Sequence, residues 1–163
     1  MNNTSSSITD KEKIVRILSK EWLDGDKLLH VAFALRQNET YISVNRPSID
    51  TFNNDVAIFV KSHTCFSFDE RASSCRFASM NVGDVRKINV ELDGKVAEVN
   101  VEVEPRNVKI KSHAGIFTRY NGCNLKAGRT INVSQENIPV DDILLKVRMK
   151  LAKISFVEEY EIK

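Results

Sequence analysis

The sequence predicts an α+β fold in which a mainly antiparallel sheet is packed by an N-terminal helix and a C-terminal helix. Two observations indicate this class. Apolar residues alternate in short stretches through the middle of the chain, whereas near both ends they recur at helical spacing. The length of 163 residues is typical of one domain. We therefore expect a single domain over residues 8–163, preceded by a disordered tail at residues 1–7.

The N-terminal helix is predicted from about residue 10 to residue 23. Thr9 and Glu12 have the spacing of a capping box, in which each side chain bonds the other residue's backbone amide. The apolar residues that follow lie three and four positions apart: Ile14, Ile17, Leu18 and Trp22. Gly25 is a suitable end, because glycine adopts the left-handed C-terminal conformation without steric cost.

Residues 28–80 predict two hairpins separated by a short helix. Two apolar stretches, Leu28 to Leu35 and Tyr41 to Val44, flank a polar connection, although the first stretch also suits a helix. Arg46-Pro47 ends the second strand, and Ser48 or Thr51 then caps a short helix. That helix carries Val56, Ile58, Phe59 and Val60. Residues 65–68 and 75–80 alternate around a polar loop, which indicates the second hairpin.

A three-strand meander is predicted over residues 85–111. Asp93-Gly94 tolerates the positive φ angles of a type I′ turn, so Leu92 should face Lys95 across the hairpin. Extending this register pairs Val90 with Ala97 and Ile88 with Val99. Pro105-Arg106-Asn107 is a second turn, after which Val108 and Ile110 should point inward on a third strand.

The last part of the chain predicts a helix followed by a strand. A helical stripe of apolar residues begins after Pro139: Val140, Ile143, Leu144, Val147, Leu151 and Ile154. Asp141 and Asp142 lie in its first turn, where the helix dipole favours negative charge. Ile154, Phe156, Tyr160 and Ile162 then fit a period of two.

Composition excludes several classes of protein and partner. The longest apolar runs have five residues, whereas a membrane helix needs about 20. The first residues lack the basic and apolar segments of a secretory signal, and three cysteines form no disulfide framework, so we expect a cytoplasmic protein. The 24 basic and 22 acidic residues give a net charge of +2, too small to indicate a polyanionic partner by itself.

The common catalytic and cofactor motifs do not occur. The sequence has no P-loop, Gly-x-Gly-x-x-Gly, Gly-x-Ser-x-Gly or His-Glu-x-x-His pattern. His63, Cys65, Cys75 and Cys123 lack the paired spacing of a zinc site. We therefore predict no cofactor and no metal.

Charge is most concentrated between Pro105 and Gln135, which contains no Asp or Glu. Its basic residues are Arg106, Lys109, Lys111, Arg119, Lys126 and Arg129. Such a segment offers donors to phosphate groups without competing carboxylates, and Phe117 and Tyr120 add surface for stacking on a base. The alternative is that neighbouring glutamates, such as Glu102 and Glu104, pair with these cations across the sheet.

Two further sites carry catalytic potential. His113 lies inside the basic segment at a predicted strand end, where cations would lower its pKa and leave a neutral base. Ser43 and Asn45 share one side of a strand that ends at Arg46, and together these residues could hold an anionic group. The alternatives are a surface histidine and an arginine that pairs with a carboxylate.

The residues around these two sites also form a sequence pattern that is similar to one in other proteins. Ile42, Ser43, Val44 and Arg46, followed later by His113, Ala114 and Ile116, form an ISVxR…HAxI pattern that resembles short bacterial proteins of unassigned function. The resemblance implies no activity. It favours the hypothesis that Arg46 and His113 belong to one site.

Three functions are therefore predicted as alternatives. The first is a binding domain whose segment from Arg106 to Arg129 contacts a phosphate-bearing ligand or nucleic acid. The second is a small enzyme acting on a nucleotide or nucleic acid, with His113 as base and Arg46 as phosphate clamp. The third is a module that recognises a protein partner through an exposed sheet edge. None of these involves a membrane.

Overall fold

The computed structural model describes residues 7–96, 99–106, 109–133 and 136–162. Within these residues it has a mainly antiparallel seven-stranded sheet and three α-helices, which confirms the predicted α+β class. The strands of the sheet are β1 (Lys13–Ile17), β2 (Tyr41–Asn45), β3 (Ser74–Asn81), β4 (Val99–Pro105), β5 (His113–Tyr120), β6 (Cys123–Asn124) and β7 (Phe156–Glu161). The helices are α1 (Phe52–Ser62), α2 (Val82–Arg86) and α3 (Val140–Ile154).

Shorter elements connect these strands and helices. Three two-stranded hairpins pair Leu23–Asp24 with Lys27–Leu28, Glu91–Leu92 with Lys95–Val96, and Ile131–Val133 with Glu136–Ile138. Single 3-10 turns lie at Lys20–Trp22, His30–Phe33 and Thr64–Phe66. No helix among the described residues is long and apolar enough to cross a membrane.

The strand order is β4-β5-β2-β1-β3-β7, and every neighbouring pair is antiparallel. β6 pairs with Arg119 and Tyr120 of β5, just beyond the residues of β5 that pair with β2. β1 is therefore central, whereas β4 and β7 lie at opposite edges.

Helices pack against both faces of the sheet. One face packs against α3 and the His30–Phe33 turn to form the larger core, which includes Ile14, Leu18 and Ile143. The other face, called here the α1 side, packs against α1 around Val15 and Phe77.

The predicted helix over residues 10–23 is wrong, because residues 13–17 form the central strand β1. Thr9 and Glu12 make a turn, in which the Glu12 amide bonds the Thr9 carbonyl at 3.1 Å. A strand buried on both faces has apolar residues at consecutive positions, and these also fit helical spacing. Ile14 faces the α3 core while Val15 faces α1.

Two other predicted strands are also wrong. Leu28 to Leu35 is split between a hairpin and a 3-10 turn, and residues 65–68 contain a 3-10 turn. The third strand of the meander begins at His113 rather than at Val108, which lies outside the described residues, and Ile110 is 42% exposed instead of inward-facing. Local alternation could not reveal that residues 109–112 are held as a turn by contacts with α1.

Several elements are confirmed. These are the strands at Tyr41–Asn45 and Ser74–Asn81, the helix at Phe52–Ser62, and the C-terminal helix and strand. The Asp93-Gly94 turn has positive φ at both residues, and Leu92 faces Lys95 as predicted. The first strand of the predicted meander is wrong over most of its length, because Val85 and Arg86 belong to α2 and Val99 pairs with Tyr120 of β5; the described hairpin pairs stop at Glu91–Val96. Residues 1–6 and Ala97 lie outside the described residues.

Candidate binding cleft

A cleft begins where the two central strands separate. β1 and β2 are joined at one register pair, Val15 with Asn45. Beyond it, the Arg16 guanidinium fills the gap, donating from Nε to the Ala32 carbonyl at 2.6 Å and from Nη1 to the Ser43 carbonyl at 2.8 Å. Burial lowers the pKa of Arg16 to about 10, so the side chain stays charged at neutral pH.

The cleft, called here the α1 cleft, lies between α1 and the splayed strands and has a volume of about 520 Å³. Its aromatic residues are Trp22, Phe59 and Phe66. Its charged and titratable residues are Arg16, Arg36, Glu39, Asp55, His63 and His113. This volume lies within the range of about 300–1,000 Å³ that is typical of small-molecule sites.

The floor of the cleft continues into an uncovered part of the α1 side. Here β2 presents Tyr41, Ser43 and Asn45, which lie opposite Phe117, Gly115 and His113 of β5. The absence of a side chain at Gly115 is required, because a Cβ there would lie 2.7 Å from Tyr41 Cδ2. The Tyr41 ring therefore lies across β5, with its centroid 6.1 Å from that of His113.

A hydrogen-bond chain fixes the turn that precedes His113. Ser112 is fully buried, and its Oγ donates to Asp55 Oδ2 at 2.6 Å while accepting from Asn45 Nδ2 at 3.0 Å. The Ser112 amide donates to the same Asp55 oxygen at 3.3 Å. These bonds tie residues 109–112 to α1 and β2, and so they position His113 at the cleft.

The His113 imidazole is half-buried and favours its neutral form. Burial lowers its pKa, and the Arg106 guanidinium lowers it further. The sequence predicts this direction from neighbouring cations, and the cation that contributes in the structure is Arg106. Among the described residues nothing hydrogen-bonds the buried Nδ1 atom of His113. The ring of His113 lines the cleft, although its Nδ1 atom itself is buried.

Arg106 is exposed beside this imidazole and is held by aromatic rings. Its guanidinium carbon lies 4.7 Å from the Tyr41 ring centroid and 5.2 Å from that of Phe117. Among residues 7–96, 99–106, 109–133 and 136–162, no carboxylate forms an ion pair with Arg106. Stacking therefore orients this cation and leaves its planar donors directed at solvent.

Arg119 differs from Arg106, because its guanidinium is bound by polar side chains of neighbouring strands. Its Nη2 donates to Glu104 Oε1 at 2.8 Å and its Nε donates to Asn124 Oδ1 at 2.7 Å. The pairing alternative considered for the basic segment thus describes Arg119. Glu102 is used differently, since it accepts from Arg86 Nε at 2.5 Å.

None of the predicted ligand-binding residues lines the cleft itself, and Arg106 lies beside it, next to His113. Lys109, Lys111 and Lys126 are exposed, and Arg129 donates to Asn38 Oδ1 at 2.7 Å. Tyr120 is half-buried and packs against the larger core. The segment therefore spreads its cations over separate parts of the surface.

Of the three predicted catalytic residues, Ser43 and His113 line the cleft. Arg46 is buried in an ion pair with Glu12, with Nε to Oε1 at 2.6 Å and Nη2 to Oε2 at 3.1 Å. Its side chain is 3% exposed. The structure thus brings two of these residues together, while the third stabilises the start of β1.

Sequence reasoning missed Arg16, Asp55 and Phe59 as cleft residues. One signal was present for Arg16, because a charged residue inside the apolar run from Ile14 to Leu18 needs a specific partner. Asp55 and Phe59 carried no such signal, since they lie at ordinary positions of an amphipathic helix.

Neither metal ligands nor known relatives identify the site. No three His, Cys, Asp or Glu side chains among the described residues are arranged to hold a metal ion, and Cys75 is buried while Cys65 and Cys123 are exposed. The chain matches no protein-family model, no curated protein and no solved structure at a significant level.

Proposed function

We propose that this protein is a binding domain whose α1 cleft takes a small phosphate-bearing ligand. The observation that carries the proposal is the exposed Arg106 guanidinium, which is oriented by Tyr41 and lies beside the neutral His113 of the cleft. A planar guanidinium without a carboxylate partner is well suited to bidentate contact with phosphate. Of the basic residues predicted from Arg106 to Arg129 to contact phosphate, the proposal therefore keeps only Arg106.

The two carboxylates of the cleft, Glu39 and Asp55, are matched in number by the two guanidinium groups of Arg16 and Arg36, so Arg106 adds a positive charge beside a balanced set. Asp55 accepts from Ser112 and from the Thr51 hydroxyl, the latter at 2.9 Å. Glu39 accepts from the Arg36 amide at 3.1 Å. Arg16 and Arg36 add positive charge to the same walls.

A small ligand is favoured over a nucleic acid by shape and by the distribution of charge. The aromatic walls offer a ring surface, and the His63 ring already stacks on Phe59 with centroids 4.5 Å apart. A nucleic-acid surface would need cations aligned along a stripe. The cations of the segment are instead dispersed, and one of them is paired with Glu104.

Calorimetric titration with adenosine monophosphate tests this proposal. We expect Arg106→Gln to weaken binding by about tenfold, which corresponds to about 1.4 kcal/mol. Lys126→Gln is the matched control, because it removes an exposed cation of the same segment outside the cleft. Equal losses in both variants, or no binding of the nucleotide by the parent protein at millimolar concentration, would contradict the proposal.

The second candidate function is an enzyme in which His113 acts as a base. The observation that favours it is the neutral imidazole, which lines the cleft on the same face of the sheet as Ser43. Hydrolysis of nucleotides by the parent protein, lost in His113→Asn while folding is retained, would support this function. Equal turnover in both proteins would remove His113 from the mechanism.

A further inference from the structure

β7 forms an edge of the sheet, and its outer side pairs with no other strand of the described chain. The Ile162 amide bonds the Ser73 carbonyl at 2.8 Å, so Ile162 directs its backbone groups toward β3. Because these directions alternate along an antiparallel strand, Val157, Glu159 and Glu161 direct theirs outward. A continuous row of backbone donors and acceptors is therefore available for another strand.

A groove lies beside this edge, between the end of α3 and the hairpin formed by residues 23–28. It has a volume of about 890 Å³ and includes Leu28, Met149, Phe156 and Val157. Phe156 is 74% exposed and Met149 is 45% exposed. Large apolar side chains exposed together next to an unpaired strand are typical of a protein-binding surface.

The charge of β7 indicates what kind of segment fits. Glu159 and Glu161 are exposed and form no ion pair within the described residues, whereas Glu158 is bound by Lys13 at 3.1 Å. Arg76 lies opposite Glu159 in the register but pairs with Asp26 at 3.5 Å. The outer edge therefore presents two carboxylates in the same direction.

We propose that β7 accepts an extended segment of another protein as an added strand, with an apolar residue against Phe156 and basic residues beside Glu159 and Glu161. Main-chain pairing supplies affinity in this mode of recognition, and alternate side chains supply specificity. The groove also contains Lys27 and Lys153. Lys153 precedes Phe156 by three residues and would repel a basic residue of the partner. The apolar residue of the partner therefore lies at the Phe156 end of β7, and its basic residues lie at the Glu159 and Glu161 end.

A second copy of the chain fits this edge poorly. Two β7 strands related by a two-fold axis centred on any residue from Glu158 to Glu161 would set glutamates directly opposite each other, and an axis centred on Phe156 or Val157 would pair at most three residues of the strand. Like charges at directly opposed positions destabilise a strand pair. Charge complementarity therefore favours a basic partner over self-association.

Fluorescence anisotropy with the labelled peptide Val-Lys-Val-Lys-Val-Lys tests the proposal. We expect binding that is about tenfold weaker for the same peptide carrying N-methyl groups at alternate residues, because these remove the donors needed for strand pairing. We expect a similar loss for the peptide with Glu in place of Lys. Equal affinity of the plain and N-methylated peptides would overturn the proposal.

Charge reversal in the protein provides the second test. Glu159→Lys should weaken binding of the basic peptide and strengthen binding of the acidic peptide. Asp142→Lys is the matched control, since it makes the same charge change at an exposed position in the first turn of α3. If the two substitutions changed peptide binding equally, the binding would depend on the net charge of the protein and not on β7, and the proposal would be wrong. A dimer of the protein alone that the peptide dissociates, seen by sedimentation, would assign the edge to a second copy instead.

Discussion

The α1 side of the sheet has two halves that differ in what covers them. In the half beneath α1, the strands β1 and β3 present Val15, Ile17, Cys75 and Phe77 to a helix. In the other half, β2 and β5 present polar and aromatic side chains to the cleft and to solvent. One helix of eleven residues spans only part of a six-strand-wide sheet, so the uncovered half must use side chains that tolerate water.

The aromatic rings show the same difference. In the covered half, Phe52, Phe77 and Tyr160 pack on one another, and the centroids of Phe77 and Tyr160 are 4.7 Å apart. In the open half, Phe117 is buried by Tyr41 and by the guanidinium of Arg106. Rings in the first half exclude water, whereas rings in the second orient a cation.

Titratable groups are also used differently in the two halves. Burial raises the pKa of the Cys75 thiol to about 12, which keeps it protonated and unreactive. Burial and Arg106 lower the pKa of His113, which favours the neutral form of an imidazole that lines the cleft. The covered half therefore contributes stability, and the open half contributes the proposed site.

The largest expected effect is on the covered half. Phe77→Ala should lower the free energy of unfolding by about 3–5 kcal/mol, because it removes a buried ring and leaves a cavity. Ser43→Ala in the open half should change it by less than about 0.5 kcal/mol, since this side chain is exposed. Urea denaturation of both variants measures the difference, and similar losses would contradict the division into two halves.

A substitution at Gly115 is expected to change the free energy of unfolding by an intermediate amount. Gly115→Ala should destabilise the protein by about 1–3 kcal/mol, because the new Cβ meets the Tyr41 ring and overpacks the face. Removing that ring in the double variant with Tyr41→Ala should make the Gly115 substitution less costly. A double-mutant cycle measured by thermal unfolding tests this, and strict additivity would show that the ring does not lie across β5.

The smallest expected effect is a change in pH dependence. Because folding depresses the pKa of His113, its contribution to stability is fully present above the unfolded pKa and is lost as pH falls through the folded pKa. His113→Gln should therefore lose less stability than the parent between about pH 7 and about pH 5. If the melting temperatures of the parent and His113→Gln fell equally with pH across that range, folding would not depress the pKa of His113.

The sequence predicts the sheet and the C-terminal elements because their signals are local. The Asp93-Gly94 turn and the helix after Pro139 depend on residues adjacent in the chain. β1 was mispredicted because its burial on both faces depends on the positions of α1 and α3, which the local pattern of Ile14, Val15 and Ile17 does not contain.

The candidate site was predictable only in part. His113 and Ser43 were identified from their types and positions, and both line the cleft. The role of Arg46 could not be predicted, because its partner Glu12 is distant in the chain. The stacking of Arg106 on Tyr41 likewise depends on the register of β2 with β5.

The central claim is that the open half of the α1 side binds a phosphate-bearing ligand. The most direct measurement is a titration of the isotopically labelled protein with adenosine monophosphate, followed by amide chemical shifts. We predict saturable shifts confined to β2, the start of β5, Arg106 and the end of α1. Shifts spread over the exposed lysines of α3, or no saturable shifts at all, would contradict it.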